Sequence, residues 1–250
     1  MCRSFKASHL RPGGFAEEVL VPAEHVKLTT LRLPAQVSYE AGSFTEPLAC
    51  CLRSLRRWNL QPGDVVLLVG LGAMGLLMAQ LIRTFHGIVL GMDLEDTRLR
   101  LAAELGAQAV CLATDRERLA ALIDDWTAGR GCDVVVLTAG DGTTVQEAVG
   151  WVRDGGTITL FGNLATHAPV RLDPNLLYYR ELTLQGSYSP SPADLVHALQ
   201  LIESHAVNVD RLITHRMPLG GLQEAIDLTR TRKAVKAIIH PMGEIIGREL

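Results

Sequence analysis

The stretch VVLLVGLGAMGLLMAQLI, residues 65–82, decides the fold. It carries no charge over eighteen residues, and a run of this length is just long enough for a membrane-spanning helix. Valine and leucine fill its first five positions, and the run is then interrupted by three glycines, Gly70, Gly72 and Gly75. We therefore expect a buried strand and a buried helix joined by a turn. A membrane span is the alternative, because length alone does not separate the two arrangements.

The residues that follow alternate between strand and helix patterns. A strand over 88–92 ends at Asp93 and completes a βαβ unit of about 30 residues. Further helices are predicted at 99–105, 119–126 and 145–152, and further strands at 109–112, 134–137, 157–161 and 182–184. Such strands bury both faces of a sheet most simply when they run parallel, with right-handed helical crossovers. The pattern predicts an α/β fold with a doubly wound parallel sheet.

Both flanks of this central region have a different pattern. The N-terminal flank is β-like over 15–21 and 26–28. After the turn-rich residues 189–194, the C-terminal flank predicts a helix, a short strand at 212–213, a helix near 222–228 and a strand at 234–239. Each flank is too small to be stable alone, so we expect the two to pack together as a second domain.

The composition argues against several classes of protein. The 250 residues contain 24 Lys and Arg against 27 Asp and Glu, a net charge of −3, so no positive field favours nucleic acid. The five cysteines are odd in number and form no CxxC pair, which gives no disulfide or zinc-finger framework. The first ten residues lack the apolar run of a secretory signal. We expect a cytoplasmic protein that binds neither nucleic acid nor membrane.

The glycines of the central turn match a phosphate-binding loop. Gly70 permits the tight turn, Gly72 removes a Cβ that would block a pyrophosphate, and Gly75 lets the helix approach the strand. The helix begins at Ala73 and Met74, where free N–H groups and the positive end of the helix dipole favour phosphate. This spacing is specific only when a strand precedes it and a helix follows it, which is the context here.

An acidic residue lies at the end of the predicted strand that follows the loop. Asp93 is placed to accept hydrogen bonds from the adenosine ribose, and its charge repels the 2′-phosphate of NADP, which favours NAD. Arg98, five residues later, is placed to stack near the adenine or to pair with a phosphate. The alternative for Asp93 is a helix N-cap, worth ~1 kcal/mol. Similar loops serve S-adenosylmethionine enzymes, so the fold alone does not settle the cofactor.

Five motifs carry a resemblance that extends over nearly the whole chain. They are GGFAEEVLVPAEHV (13–26), TEPLAC (45–50), GLGAMG (70–75), DGGTITLFG (154–162) and LITHRMPL (212–219). With these motifs the chain resembles the zinc-dependent medium-chain alcohol dehydrogenases, particularly their sorbitol and polyol dehydrogenase branch.

This resemblance implies three parts of the chain. Residues 47–188 correspond to an NAD-binding Rossmann domain, and residues 1–46 and 189–250 correspond to parts of a GroES-like β-barrel, which holds the catalytic zinc in the family. The family's upstream barrel segment, with a cysteine ligand and a histidine-glutamate pair, has no counterpart in this sequence. Cys2 resembles the last cysteine of a structural zinc lobe without its three partners, and zinc needs four ligands there. The resemblance therefore implies a truncated homologue.

The resemblance also assigns site residues. Glu46 resembles the acidic zinc ligand or near-ligand of the polyol branch. It is thus the candidate catalytic and metal-binding residue, provided that the missing upstream ligands are supplied. Thr138, Leu160, Gly162 and Ser187 lie near the carboxyl ends of predicted strands, where they are expected to border the nicotinamide.

Structural explanations compete with some of these assignments. An acid such as Glu46 in a first helical turn, which Thr45 can cap, gains ~0.3 to 1 kcal/mol from the helix dipole. Cys50 and Cys51 have no evident base nearby and are expected to be buried thiols. A small basic cluster at helical spacing is expected to be a solvated helix face: Arg53, Arg56 and Arg57.

The function expected from the resemblance is that of an NAD-dependent oxidoreductase. It transfers hydride between nicotinamide and a small-molecule alcohol, a polyol or sugar alcohol, with zinc as in the intact family. The alternative is a catalytically incomplete dinucleotide-binding remnant that acts as a sensor or partner subunit. Methyl transfer from S-adenosylmethionine is a third candidate, against which the barrel-like flanks argue. The resemblance also implies a homo-oligomer.

Overall fold

The chain folds around a six-stranded sheet. The computed structural model describes residues 13–163 and 170–242, so the prediction for Cys2 lies outside the described residues. The strands are β1 Val65–Val69, β2 Ile88–Asp93, β3 Ala109–Leu112, β4 Cys132–Leu137, β5 Val152–Leu160 and β6 Thr183–Gly186. They pair in the order β3-β2-β1-β4-β5-β6, and every pair is parallel. The predicted α/β class with a parallel sheet is confirmed.

Helices connect these strands and make up much of both flanks. They are α1 Ala23–Thr29, α2 Tyr39–Gly42, α3 Thr45–Leu55, α4 Ala73–Thr84, α5 Asp96–Glu104, α6 Arg116–Thr127, α7 Gly142–Trp151, α8 Pro174–Tyr179, α9 Pro192–Glu203 and α10 Leu222–Arg230. Short 3-10 turns lie at Asp210–Leu212 and Leu219–Gly221.

Strand β1 contributes to two separate cores. Val66 and Leu68 pack with residues of α3, α4, α5 and α9, whereas Val65, Leu67 and Val69 pack with residues of α6 and α7. Successive side chains of a strand point to opposite faces, so helices cover the sheet on both sides. The uncharged run at 65–82 is therefore a buried strand and a buried helix, as predicted. No described helix is both long enough and apolar enough to span a membrane.

The N-terminal flank departs from the predicted strands. Residues 15–21 contain only an isolated bridge at Leu20, and the predicted strand at 26–28 is part of α1. Phe15 and Leu20 are 62% and 74% exposed, so these apolar side chains have no sheet face to cover. A lone strand without neighbours to complete its hydrogen bonds is not stable, which is why the β-like pattern produces no strand here.

The C-terminal flank contains a second, smaller sheet. Its strands β7 Ile213–Pro218 and β8 Lys236–His240 pair in parallel. Glu40 of α2 accepts two hydrogen bonds of 2.9 Å from Arg216 of β7 and lies 2.9 Å from His240 Nε2 of β8. The two flanks thus meet, whereas the GroES-like barrel and the boundaries at residues 47 and 188 stay predictions.

Candidate active site

The end of β1 lies where the chain changes direction across the sheet. Strands β2 and β3 lie on one side of β1, and β4, β5 and β6 lie on the other. Open α/β sheets bind ligands at such a switch point, outside the carboxyl ends of the strands. Thr138, which follows β4, places its hydroxyl 2.8 Å from the Gly70 carbonyl oxygen. Gly70 has φ +94°, and a Cβ there would lie 2.7 Å from Thr138 Oγ1, so glycine is required in this turn.

The helix after the turn begins with free hydrogen-bond donors. Gly72 is the N-cap of α4, and no side chain caps the helix. Within the described residues, no oxygen accepts from the N–H groups of Ala73, Met74 and Gly75. A Cβ on Gly72 would approach only Arg98 Nη1, at 3.6 Å. Open space above several unused N–H groups at a helix N-terminus is the arrangement that binds phosphate.

The last glycine of the loop sets the distance between α4 and β1. A Cβ on Gly75 would lie 2.1 Å from the Gly70 carbonyl oxygen, far inside van der Waals contact. Any larger residue would therefore push the helix away from the strand. The geometry is the close approach predicted for Gly75, while its part in cofactor binding stays a prediction.

The Asp93 carboxylate connects the end of β2 to the loop. Its Oδ2 accepts a hydrogen bond of 2.6 Å from the Leu71 N–H, and its Oδ1 accepts one of 3.0 Å from the Glu95 N–H. The N-cap of α5 is Glu95, so the alternative reading of Asp93 as the N-cap is wrong. Each carboxylate oxygen has a second lone pair, which leaves Asp93 able to accept hydrogen bonds from ribose hydroxyls.

Arg98 lies between Asp93 and the C-terminal flank. Its Nη1 is 3.8 Å from Asp93 Oδ2, and its side chain is only 13% exposed. Its Nη2 donates to the carbonyl oxygens of Arg232 and Ala234, at 3.4 and 3.3 Å. Its Nε is buried and has no hydrogen-bond partner within the described residues. A buried donor without a partner is unusual.

The remaining predicted residues lie along the same edge of the sheet. Leu160 ends β5, and Gly162 donates its N–H to the Leu137 carbonyl oxygen at 3.0 Å. Ser187 follows β6 and donates its N–H to the Leu160 carbonyl oxygen at 3.1 Å. The structure thus places these residues next to Thr138 along one edge, and their contact with a nicotinamide stays a prediction.

Glu46 lies in the first turn of α3 and is exposed. It accepts a hydrogen bond of 3.2 Å from the Cys50 thiol. Burial, together with the charge of Glu46, raises the pKa of Cys50 to about 12, and burial raises the pKa of Cys51 well above its ordinary value. Both groups are thiols at neutral pH, which agrees with their interpretation as unreactive cysteines. The N-cap of α3 is Phe44, and Thr45 Oγ1 has no partner within the described residues, so Thr45 does not cap the helix.

The described residues do not fit a zinc ion. Within residues 13–163 and 170–242, no three His, Cys, Asp or Glu side chains come together to hold a metal. A catalytic zinc needs three protein ligands. Among the described residues, the hydrogen bond that the Glu46 carboxylate accepts comes from the Cys50 thiol, and that thiol keeps its proton. The predicted metal role of Glu46 therefore still depends on ligands that the described residues do not supply.

A cavity of about 800 Å³ opens beside Glu46. Its walls come from α1, α3, the end of β6 at Gly186, and the loop that leads to α9, including Tyr188. Gly186 precedes Ser187, so the cavity meets the sheet edge where the nicotinamide is expected. None of the glycine-loop residues 70–75 lines this cavity. The cavity, which is large enough for a substrate, is therefore distinct from the candidate dinucleotide crevice.

The three arginines of the predicted basic face are exposed, as predicted, but two of them also contact distant parts of the chain. Arg56 forms an ion pair with buried Asp194 and lies 3.0 Å from His197 Nδ1. Arg57 donates to the Gly186 carbonyl oxygen at 2.6 Å and, with Arg53, lines the cavity. These partners lie more than 120 residues away along the chain, so helical spacing alone gives no signal for them.

Sequence reasoning also missed the support that Arg98 receives. Its two carbonyl acceptors belong to Arg232 and Ala234, and Arg232 Nη1 lies 3.7 Å from Glu95 Oε1. A backbone carbonyl is present at every residue, so no residue type indicates such a contact. The sequence offers one indication of this contact: Arg232 is a cation in the C-terminal flank, and a cation can pair with an acid at the start of α5.

Comparison with known proteins identifies similar chains. A family model described as zinc-binding dehydrogenase matches residues 70–204. The D-arabitol-phosphate dehydrogenase of Enterococcus avium is 31% identical over 235 residues, which is 93% of this chain and 65% of that protein. The sorbitol dehydrogenase of Halalkalibacterium halodurans is 28% identical over 232 residues, 92% of this chain and 66% of that protein.

A solved structure from Sinorhizobium meliloti 1021, described as a zinc-binding dehydrogenase bound to NADP, has a similar fold. It superposes with a TM-score of 0.82 at 30% identity, over 92% of this chain and 67% of that chain. This chain therefore spans about two thirds of the length of these three proteins, 65% in the case of the arabitol-phosphate enzyme.

Proposed function

The chain belongs to the zinc-binding dehydrogenase family, and from this premise we propose that it is an NAD-dependent oxidoreductase acting on a polyol or sugar alcohol. Two similar proteins carry names of this kind, a sorbitol dehydrogenase and a D-arabitol-phosphate dehydrogenase. The observation that carries the proposal is the pairing of free N–H groups at Ala73 to Gly75 with the Asp93 carboxylate at the next strand.

The residues present fit a dinucleotide. The N–H groups at the start of α4 bind the pyrophosphate, because they are unused and face open space beside Gly72. Asp93 holds the adenosine ribose, and its negative charge disfavours a 2′-phosphate there. Arg98 lies beside this carboxylate, with its Nη1 3.8 Å from Asp93 Oδ2. The N–H groups of Thr138 and Ser187 donate to the carbonyl oxygens of Val69 and Leu160. These hydrogen bonds fix the backbone of the sheet edge at which the nicotinamide would lie.

The chemistry divides between the cofactor and the chain. When bound, NAD would supply the nicotinamide ring as hydride acceptor, and the hydroxyl proton of the alcohol would pass to water. The cavity beside Glu46 orients the alcohol against the sheet edge at Gly186. The Glu46 carboxylate accepts a hydrogen bond from the substrate hydroxyl, in place of the one it now accepts from Cys50. The described donor set does not fit zinc, so no step of this account passes through a metal.

A second candidate function is a dinucleotide-binding remnant without turnover, acting as a sensor or partner subunit. It is favoured by the surroundings of Glu46, whose only ionisable hydrogen-bond partner in the described part of the chain is the protonated Cys50 thiol. In this form the chain keeps its NAD crevice but has no complete catalytic centre.

One set of measurements separates the two functions. NAD affinity is measured by calorimetry on the purified chain, and NADH formation is followed by fluorescence over a panel of sugar alcohols, with and without added zinc. Turnover of at least one alcohol supports the dehydrogenase. Tight NAD binding with no turnover under either condition supports the remnant, and absence of NAD binding contradicts both.

A further inference from the structure

The peptide group between Gly70 and Leu71 forms hydrogen bonds at both of its polar atoms. Its carbonyl oxygen lies 2.8 Å from Thr138 Oγ1, and its N–H donates to Asp93 Oδ2 at 2.6 Å. Asp93 ends β2 and Thr138 follows β4, and these two strands are the neighbours of β1 in the sheet. One peptide group therefore connects the acid on one side of the switch point to a hydroxyl on the other side.

The proton of the Thr138 hydroxyl is best placed on the Gly70 carbonyl oxygen. Thr138 Oγ1 also lies 3.0 Å from the Val69 carbonyl oxygen. That oxygen already accepts from the N–H groups of Thr138 and Ala139, at 3.0 and 3.2 Å, and a carbonyl oxygen has two lone pairs. Because a hydroxyl has a single proton to donate, Thr138 donates it to Gly70.

The backbone alone does not fix the orientation of this peptide group. Gly70 has φ +94°, and glycine adopts positive and negative φ with similar ease. Leu71 is held on its other side, since its side chain is fully buried and packs over Gly91 of β2, where an added Cβ would lie 3.0 Å from it. The bond from Thr138 therefore helps to set the direction in which the Leu71 N–H points.

The two hydrogen bonds of the peptide group also strengthen each other. A bond accepted by the carbonyl oxygen polarises the amide, which makes its N–H a stronger donor. Asp93 is buried, and the low dielectric of such a site increases the effect. A firmer bond from Leu71 fixes Oδ2 of Asp93, and with it the direction of the remaining carboxylate lone pairs.

We propose that Thr138 is a positioning residue for Asp93. Its hydroxyl orients the Gly70–Leu71 peptide group, and this group holds the carboxylate in the orientation that binds the adenosine ribose. The inference rests on the proposed function, because it assigns a further residue that sets NAD affinity at the same site. Thr138 thus acts on the adenosine end of the cofactor, although it lies at the sheet edge where the nicotinamide is expected.

Selective isotope labelling isolates the Leu71 amide in the full chain without cofactor. Glycine carbonyls labelled with ¹³C and leucine nitrogens labelled with ¹⁵N report only Gly-Leu peptides, and the sequence contains three, which end at Leu71, Leu76 and Leu222. We expect the Leu71 N–H proton downfield in the NMR spectrum, because a short bond to a carboxylate withdraws electron density from it. Thr138→Ala should move it upfield, Thr138→Ser should restore it, and Leu222 in α10 should not move. An unmoved Leu71 signal in Thr138→Ala overturns the proposal.

Calorimetry measures the consequence for NAD affinity. Thr138→Ala and Thr138→Val both lack the hydroxyl, and each is expected to weaken NAD binding about fivefold or more, the effect of one hydrogen bond. Thr138→Ser is expected to restore the affinity. The control is Thr84→Ala at the far end of α4, where an equally half-buried hydroxyl donates to the Leu81 carbonyl oxygen at 2.7 Å, and it should leave NAD affinity unchanged. Unchanged affinity in a hydroxyl-free variant that keeps the Leu222 signal overturns the proposal.

A double-mutant cycle separates action through Asp93 from direct contact with the cofactor. In an Asp93→Ala background, Thr138→Ala should change NAD affinity by less than about twofold, because the carboxylate that it positions is gone. A loss of about fivefold in both backgrounds would assign Thr138 to direct contact with the nicotinamide, and the positioning role would be wrong. Absence of NAD binding in the unmodified chain contradicts the proposed function instead, while the Leu71 signal still decides whether Thr138 holds the peptide group.

Discussion

The Asp93 carboxylate and the Leu71 backbone N–H are joined by a hydrogen bond of 2.6 Å. This bond connects the end of β2 to the loop between β1 and α4, so the acid and the N–H groups proposed to bind phosphate keep a fixed separation. A dinucleotide spans the same two elements, from its pyrophosphate to its adenosine ribose. The proposed dinucleotide crevice is therefore already formed in the chain without a cofactor.

The glycine at position 75 is required for folding. Gly75→Ala places a Cβ 2.1 Å from the Gly70 carbonyl oxygen, and such overpacking costs about 1–3 kcal/mol or more in the free energy of unfolding. Urea denaturation measures the loss. The control is Gly150→Ala in α7, where a Cβ meets nothing within 4 Å, and which is expected to gain up to about 1 kcal/mol. Equal stability of the two variants would contradict the close helix-strand contact.

The glycine at position 72 is expected to matter for binding more than for folding. The nearest atom to a Cβ there is Arg98 Nη1, at 3.6 Å. Gly72→Val therefore fits the folded chain at a cost of about 1 kcal/mol for a poor N-cap residue. Its side chain occupies the space above the free N–H groups of α4. Calorimetry should find NAD affinity reduced at least about tenfold, a loss of 1.4 kcal/mol. Undiminished affinity would mean that phosphate lies elsewhere.

The charge of Asp93 is expected to set the preference between NAD and NADP. Asp93→Asn keeps the shape of the side chain but removes the repulsion toward a 2′-phosphate, so the ratio of NAD affinity to NADP affinity should fall. The exposed Asp96→Asn on α5 is the control. A ratio that stays the same in Asp93→Asn would assign the preference to another residue, with Arg98 as the nearest candidate.

The Cys50 thiol is expected to be slow to alkylate at neutral pH. Its pKa is raised to about 12 by burial and by the charge of Glu46, so almost no thiolate is present near pH 7. Glu46→Gln removes the negative charge and lowers the pKa, which should speed the reaction of Cys50 with iodoacetamide. Mass spectrometry of the Cys50 peptide measures the rate. Cys111, in β3 of the sheet, is the control and should react at an unchanged rate. A similar acceleration at both cysteines would indicate that the substitution destabilises the whole fold.

The contact between the flanks is expected to weaken in acid. The Arg216 guanidinium lowers the pKa of Glu40 below its ordinary value, so the pair stabilises the fold above that ordinary value and the stabilisation is lost as pH falls through the lowered pKa. Because Arg216 is 52% exposed, the contribution is about 1 kcal/mol or less. Urea denaturation at several pH values should show a smaller acid loss in Glu40→Gln than in the unmodified chain. The exposed Asp125→Asn, on α6, should behave like the unmodified chain.

The central fold could be predicted because its signals are local. Val65–Val69 is a continuous apolar strand, and the glycines at 70, 72 and 75 mark the turn within a few residues of it. Strands β2, β3 and β4 are likewise each followed by a helix with buried apolar residues. One exception lies at the end of the helix predicted at 119–126, where Trp126 is 40% exposed and the next residue, Thr127, is buried.

The flanks and the support of the site could not be predicted in the same way. Whether residues 15–21 form a strand depends on a neighbouring strand, which their own pattern does not specify. The contacts of Arg98 with Ala234 and of Arg57 with Gly186 each join residues more than 120 positions apart through a backbone carbonyl. Only the folded chain brings such groups together.

A crystal structure of the chain grown with saturating NAD tests the central claim most directly. The account predicts the diphosphate within hydrogen-bond distance of the N–H groups of Ala73 to Gly75, and the adenosine ribose hydroxyls on the Asp93 carboxylate. A crevice that stays empty at saturating NAD, or a dinucleotide bound with its ribose away from Asp93, would contradict it.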